Sequence, residues 1–284
     1  MIFLSKIYLL KLLGVRKKPA MDENNYIDID LSRRNQFIYR IISVERLFEM
    51  FKNKRNVLVK PKKWEDPFEN FILRSKVKLP SGDLATFGFQ DHFFGQCWTL
   101  NTASDAMWRI YSPKANAVRI RSNVASLASS LEHSCGDWAH VEVFIGKVKY
   151  FPNKSLVEYA NTVFTNMSIP SSRLFAETLL IKRPAFKHER EVRLLFLPHN
   201  EDTAKNDLYS YDIDPHALIS QIMIDPRLAK TEADALKERI RKSTGYKRSI
   251  KRSLLYAAPP AFVIPFGKTP NNAFNTDAPK RCAG

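Results

Sequence analysis

The stretch Glu189-Arg190-Glu191-Val192-Arg193-Leu194-Leu195-Phe196-Leu197 starts with alternating charges and runs into an apolar segment. It reads as the opening of a hydrophobic strand. Alternation along a strand puts Glu189, Glu191 and Arg193 on one face. Two carboxylates two residues apart on one face repel each other, so the pattern asks for a cation between them or a substrate that uses both. The plainest answer is Arg193, paired with glutamate on a solvated face.

Working outward, further strand-like runs alternate irregularly with short helices. Asn35-Gln36-Phe37-Ile38-Tyr39-Arg40-Ile41-Ile42 is aromatic and β-branched, and Ser43 is placed to cap a helix over residues 44–51, with Leu47 and Phe51 one turn apart. Strands are expected over residues 95–99, 117–120, 141–150, 208–212 and 219–224, and helices over 155–167, 171–179 and 231–244. Ser155 with Glu158 fits a capping box, Thr231 with Asp234 resembles one, and Gly245 stands where a helix-ending glycine belongs. This order predicts an α+β fold rather than regular βαβ units. There is no internal repeat, no P-loop and no G-x-G-x-x-G, which argues against a P-loop ATPase, a kinase or a Rossmann dehydrogenase.

The 284 residues are 44% hydrophobic and 26% charged, ordinary for a packed chain. Lys and Arg number 45 against 29 Asp and Glu, a formal net charge of +16, which points to a polyanionic partner. Cys97, Cys135 and Cys282 form no C-x-x-C pair, a reduced, intracellular pattern that places the protein in the cytoplasm. His133, Cys135 and His140 lack a second ligand pair at zinc spacing, so no metal site is expected. Residues 1–25 read as an apolar and basic appendage with a linker. If helical, it aligns Phe3, Ile7, Leu10 and Leu13 but is too short to span a bilayer. Residues 26–258 are the expected body, and residues 259–284 an irregular proline-rich tail.

Four blocks are candidates for chemistry. The first is Tyr39-Arg40 at a strand end, followed by Trp64-Glu65-Asp66-Pro67-Phe68-Glu69. The second is Cys97-Trp98-Thr99-Leu100, running on to Ser104-Asp105-Ala106-Met107-Trp108-Arg109-Ile110-Tyr111. The third is the acidic doublet quoted above, and the fourth is the basic stretch over residues 237–252. The ordered Arg, Thr and Glu-x-Glu set resembles the ADP-ribosyltransferase superfamily, and within it the DarT- and CmdT-like bacterial toxins. It is also similar to a bacterial domain family of unknown function with Trp-x-Asp-Pro-Phe-Glu and Glu-x-Glu-Val-Arg motifs. The middle motif departs from the superfamily's usual Ser-Thr-Ser, standing here as Trp98-Thr99-Leu100.

The resemblance implies a mixed, mostly antiparallel split sheet flanked by short helices, with NAD as co-substrate. It further implies a toxin in a toxin–antitoxin or antiphage system, restrained by an antitoxin or chaperone-like protein. Breaking the nicotinamide–ribose bond builds oxocarbenium-like charge on the ribose, which a nearby carboxylate stabilises. The resemblance gives that role to Glu191 and leaves Glu189 to orient or deprotonate the acceptor. Arg40, beside Tyr39, would hold the pyrophosphate or adenosine ribose through its fork of donors. Thr99 would sit near the nicotinamide ribose or position Glu191, and Trp108 or Tyr111 would stack on the nicotinamide. On a helix, Asp105, Trp108 and Ser112 share a face that could line the cleft.

The basic stretch includes Lys242, Lys247, Arg248, Lys251 and Arg252 with Tyr246 among them, and a second run holds Lys52, Lys54, Arg55, Lys60, Lys62 and Lys63. Cationic runs interleaved with aromatics suit a backbone-tracking groove, so the acceptor is expected to be single-stranded RNA or DNA. Two rival readings remain: a metal-dependent nuclease using Asp66, Glu69, Glu189 and Glu191, or a basic nucleic-acid-binding protein without catalysis. The nuclease pattern would want a lysine two residues after the carboxylate, where this chain has Glu191 and then Arg193.

Overall fold

β-branched and aromatic runs form the strands, and a computed structural model describes them within residues 21–79, 81–88, 90–135, 139–164, 171–198, 200–261, 263–264 and 266. In chain order the strands are β1 (Tyr26–Ile27), β2 (Phe37–Ser43), β3 (Arg55–Val59), β4 (Val77–Lys78), β5 (Leu84–Ala85), β6 (Phe94–Thr99) and β7 (Ala117–Asn123). They continue with β8 (Val143–Lys147), β9 (Lys149–Tyr150), β10 (Ile181–Lys182), β11 (Glu191–Phe196), β12 (Leu208–Asp212), β13 (Gln221–Ile224) and β14 (Ser249–Arg252). The longer helices are α1 (Val44–Asn53), α2 (Asp105–Tyr111), α3 (Val124–Cys135), α4 (Asn153–Thr162), α5 (Ser172–Thr178) and α6 (Lys230–Thr244). The apolar segment over residues 1–20, with its expected Phe3 to Leu13 face, lies outside the described residues, as does the tail beyond residue 266 with Cys282. Among the described residues no helix is long and apolar enough to cross a membrane.

One mixed sheet runs in the order β1-β8-β11-β6-β2-β7-β13-β14, with β3 also on β6 and β12 on β3. β1 is parallel to β8 and β13 to β14, at the two ends; the pairings between them are antiparallel. β11 lies between β8 and β6 and is buried throughout, its apolar residues in the core and its two charged residues, Glu191 and Arg193, paired with each other. On β2, Ile38 and Ile42 face the main core with Leu47 and Phe51 of α1. Ser43 ends the strand and caps the helix, its hydroxyl accepting the Arg46 N–H at 3.2 Å. Lys54, at φ 51°, turns the chain into β3.

Local competition explains where the outcome differs from the expected elements. Residues 141–150 do not form one strand: a single helical turn, Ala139–Glu142, comes first, and then β8 and β9. α4 starts at Asn153 behind Pro152, whose fixed φ suits a helix entry, so the Ser155–Glu158 box is not made. α6 is closed at its start by Glu232, which accepts the Ala229 N–H at 2.9 Å, instead of by Thr231 and Asp234. Gly245 ends it at φ 66°. α3 was not anticipated, although Val124, Leu127 and Leu131 bury one stripe of it, and Asn123 accepts the Ser126 N–H at its entrance. Glu189 is not on a strand either: it closes a 3-10 helix, Pro184–Glu189, and Arg190 at φ 46° separates it from β11.

Gly95 of β6 is pinned by close approach. A Cβ there would stand 2.6 Å from the Trp64 ring and 3.2 Å from Leu195. Gly95→Ala should therefore cost about 1–3 kcal/mol by overpacking, seen as a lower urea midpoint with an unchanged slope.

Candidate active site

The sheet forks at β6. Along one edge β6 is fully paired with β11, and its other edge is shared. β2 holds it at one rung, Tyr39 opposite Thr99, and β3 at another, Val59 opposite Gly95. Side-chain amides stitch β3 to β6 beside the fork: Asn56 and Gln96 bond each other at 2.7 and 3.3 Å, and Gln96 Nε2 donates to the Val57 carbonyl at 2.8 Å. Alternation would send Arg40 to the core side with Ile38 and Ile42, but the fork gives it an opening. It lines three cavities of about 340, 630 and 240 Å³. Burial pushes its guanidinium down to about 10, still protonated at neutral pH. Among the described residues its side chain meets no hydrogen-bond acceptor and no carboxylate at ion-pair distance. A desolvated cation without a counterion is a site for an anion.

The same cleft receives Glu189 and Glu191. The backward turn at Arg190 aims both carboxylates at one centre, although they leave different elements. Four bonds hold the turn to the end of β6: Leu100 N–H to the Arg190 carbonyl at 3.0 Å, the Thr99 hydroxyl to the Glu189 carbonyl at 2.5 Å, and Asn101 Nδ2 to the His188 carbonyl at 2.7 Å and the Glu189 carbonyl at 3.3 Å. The centre is Lys182, whose Nζ lies 2.9 Å from Glu69, 2.5 Å from Glu189 and 3.5 Å from Glu191. Arg193 grips Glu191 Oε2 through Nε at 3.0 Å and Nη2 at 2.5 Å, reaches Glu69 at 3.2 Å, and donates Nη1 to the Leu179 carbonyl at 2.7 Å. Its far side is covered by the Trp64 ring at 4.3 Å. Far from a solvated pair, Arg193 is 0% exposed. Tyr111 donates its hydroxyl to Glu189 at 3.2 Å, and the Glu191 N–H donates to the Tyr150 hydroxyl at 2.9 Å.

Three buried carboxylates face two buried cations, so the cluster is one positive charge short. Burial, with Glu191 as neighbour, raises the Glu189 carboxyl above its ordinary value despite Lys182. Burial acts against Glu191 as well, but Arg193 and Lys182 outweigh it and hold that carboxyl below its ordinary value. Burial and Glu189 raise Tyr111, which stays a donor. The shared surroundings thus push the proton affinities of the two glutamates apart, Glu189 upward and Glu191 downward.

Tyr39, Arg40, Thr99, Tyr111, Glu189 and Glu191 line one cavity. Trp108 does not join them, which corrects the expected stacking role: it is 1% exposed, turned inward from α2. Ser112 is buried too and donates to Asp225 at 2.8 Å, so Trp108 and Ser112 pack on the body while Asp105, the third residue of that expected face, stays exposed and paired with Arg109. Met107 and Tyr111 are the cleft-facing pair of α2. Thr99 spends its hydroxyl hydrogen on the Glu189 carbonyl, so it braces the acidic turn. Asp66 caps Pro67–Glu69 and pairs with Arg183 at 2.8 Å. Lys242, Lys247, Arg248, Lys251 and Arg252 are exposed at the β14 end of the sheet, where Arg252 is bonded to the carbonyls of Leu228 and Pro226. The sequence reading missed Lys182. Its one signal was the demand for a cation between the glutamates, a demand that Arg193 alone answers in the sequence reading. As metal ligands, Glu69, Glu189 and Glu191 would first have to shed Lys182 and Arg193, which weakens the nuclease alternative.

No family model and no curated protein matches the chain. Among solved structures, DarT of Thermus sp. 2.9 in complex with NAD+ is similar at 13% identity, over 78% of this chain and 98% of that chain, with a TM-score of 0.35. The same protein in complex with carba-NAD+ gives 13% identity over 77% and 95%, TM-score 0.33. In complex with ADP-ribosylated ssDNA it gives 11% over 77% and 93%, TM-score 0.35. Likeness of that degree leaves the function to be read from the cleft itself.

Removing one partner from this cluster strands a buried charge. Arg193→Met should destabilise the fold by about 3–5 kcal/mol in urea denaturation, far more than Arg109→Met, which breaks an exposed pair with Asp105.

Proposed function

We propose that the chain is an ADP-ribosyltransferase that takes NAD as co-substrate and modifies a nucleic acid. One observation carries the reading: an unpaired, desolvated Arg40 and a glutamate pair with opposed proton affinities line a single cleft. Arg40 supplies the positive fork that a pyrophosphate requires. Glu191, kept ionised by Arg193 and Lys182, faces the ribose as positive charge grows there. The bond from ribose C1 to the nicotinamide nitrogen breaks, and nicotinamide departs neutral with the electron pair. The acceptor's nucleophile forms the new bond to that carbon and gives its proton to Glu189. Tyr111, 44% exposed with its hydroxyl on Glu189, offers a ring to the nicotinamide and keeps Glu189 in place. The net charge of +16 supports a polyanionic acceptor.

The test is to incubate the protein with labelled NAD and separate pools of RNA, single-stranded DNA and protein. Label should enter a nucleic-acid pool, and Glu191→Gln should cut the rate about a hundredfold or more while the far-UV spectrum stays the same. Absence of nicotinamide release under all these conditions would overturn the reading.

The pH profile gives a second check. As a base, Glu189 works only when deprotonated, so the rate should climb as pH rises through its pKa. That limb should lie above the ordinary glutamate value of about 4.3, and Glu189→Gln should abolish it.

A further inference from the structure

Strand register aligns a row of side chains across the sheet. Glu191 pairs with Thr99, Thr99 with Tyr39, Tyr39 with Arg121, Arg121 with Gln221, and Gln221 with Ser249. Residues paired in register share a face, so the row runs from the acidic cluster to the β14 edge on one side of the sheet. Five strand spacings make it about 24 Å long. Its inner half lines the cleft, and its outer half is partly exposed.

The face around the outer half is cationic and aromatic. On β2, β7, β13 and β14, the positions on that side are Phe37, Tyr39, Ile41 and Ser43; Ala117, Arg119, Arg121 and Asn123; Gln221 and Met223; and Ser249 and Lys251. None is acidic. Guanidinium groups already lie over the rings: Arg121 over Phe37 at 4.1 Å and Arg119 over Tyr39 at 4.5 Å. Phe37 is nevertheless 44% exposed, and Arg121 is anchored only through Nε, to the Ser220 hydroxyl at 2.9 Å. Its terminal nitrogens meet no acceptor among the described residues. Lys247 and Arg248, both exposed, precede β14 at the same end.

We infer that this row is the track of a single-stranded nucleic acid, which enters over the β14 edge, stacks a base against the Arg121–Phe37 pair and delivers the acceptor atom past Tyr39 to Glu189 and Glu191. Phosphates meet Arg121, Lys247, Arg248 and Lys251, and an exposed ring beside a guanidinium takes the base. A duplex hides the faces of its bases and cannot use such a stack. The inference deepens the transferase reading, on which its delivery step rests; the strand-binding surface stands on the register and the charge alone.

The test is fluorescence anisotropy with a fluorescein-labelled single-stranded oligonucleotide, as DNA and as RNA, at low salt and without NAD. Phe37→Ala should weaken binding about tenfold or more. Arg121→Ala should weaken it and lower the salt dependence by about one counterion. Lys154→Ala, which removes an exposed charge from α4, should leave binding as it is. If neither strand binds, if Phe37→Ala binds like the parent, or if Lys154→Ala loses as much as Arg121→Ala, the track is wrong. Nicotinamide release from NAD, measured in parallel, separates the two ideas. Strand binding lost in Phe37→Ala without any NAD turnover keeps the track and removes the transferase, whereas NAD turnover with binding insensitive to Phe37 removes the track alone.

Discussion

Lys182 stands where three buried carboxylates would otherwise repel one another, and much of the cleft follows from that one ammonium group. Burial works against its charge, yet Glu191, Glu189 and Glu69 more than compensate and hold its pKa above the ordinary value. Each glutamate comes from a different place: Glu69 from the turn after Trp64, Glu189 from a 3-10 helix, Glu191 from the head of β11. No local preference brings those segments together. The fold packs them together, and once the groups are dry each carboxylate needs its cation, because a buried charge left without a partner is costly. Arg193 adds the second cation, and its bonds decide which glutamate stays ionised.

The fold was legible to the extent that apolar runs betray strands. β2, β6, β11, β12 and β13 each announce themselves by β-branched or aromatic runs, and Ser43 and Ser171 cap the helices they precede. What could not be read was set by competition at element ends. The doublet at Glu189 and Glu191 looks like strand alternation, but Arg190 adopts a left-handed conformation and the chain changes course between the two acids. The same face convergence arises by another route, through the turn and Lys182.

The candidate site was legible in part for a related reason. Arg40 and the acidic doublet are chemically conspicuous residue types in an order that can be noticed. Lys182 is one lysine among many in a basic chain, and only its neighbours in space distinguish it. Trp108 misled because an aromatic near a cleft and an aromatic beneath it look alike in sequence. α2 carries five apolar or aromatic residues among its seven, and which of them turns inward is decided by the sheet it rests on.

The fork at β6 has a consequence for the cleft. Because β2 and β3 each clasp β6 at a single rung, no backbone ladder among the described residues spans the aperture between them. The β3 side of that aperture is held to β6 by side-chain amides, Asn56 against Gln96, in addition to its one backbone rung. The mouth of the cleft is thus edged by side-chain amides on one arm of the fork, while β6 stays fully laddered to β11 on its other edge.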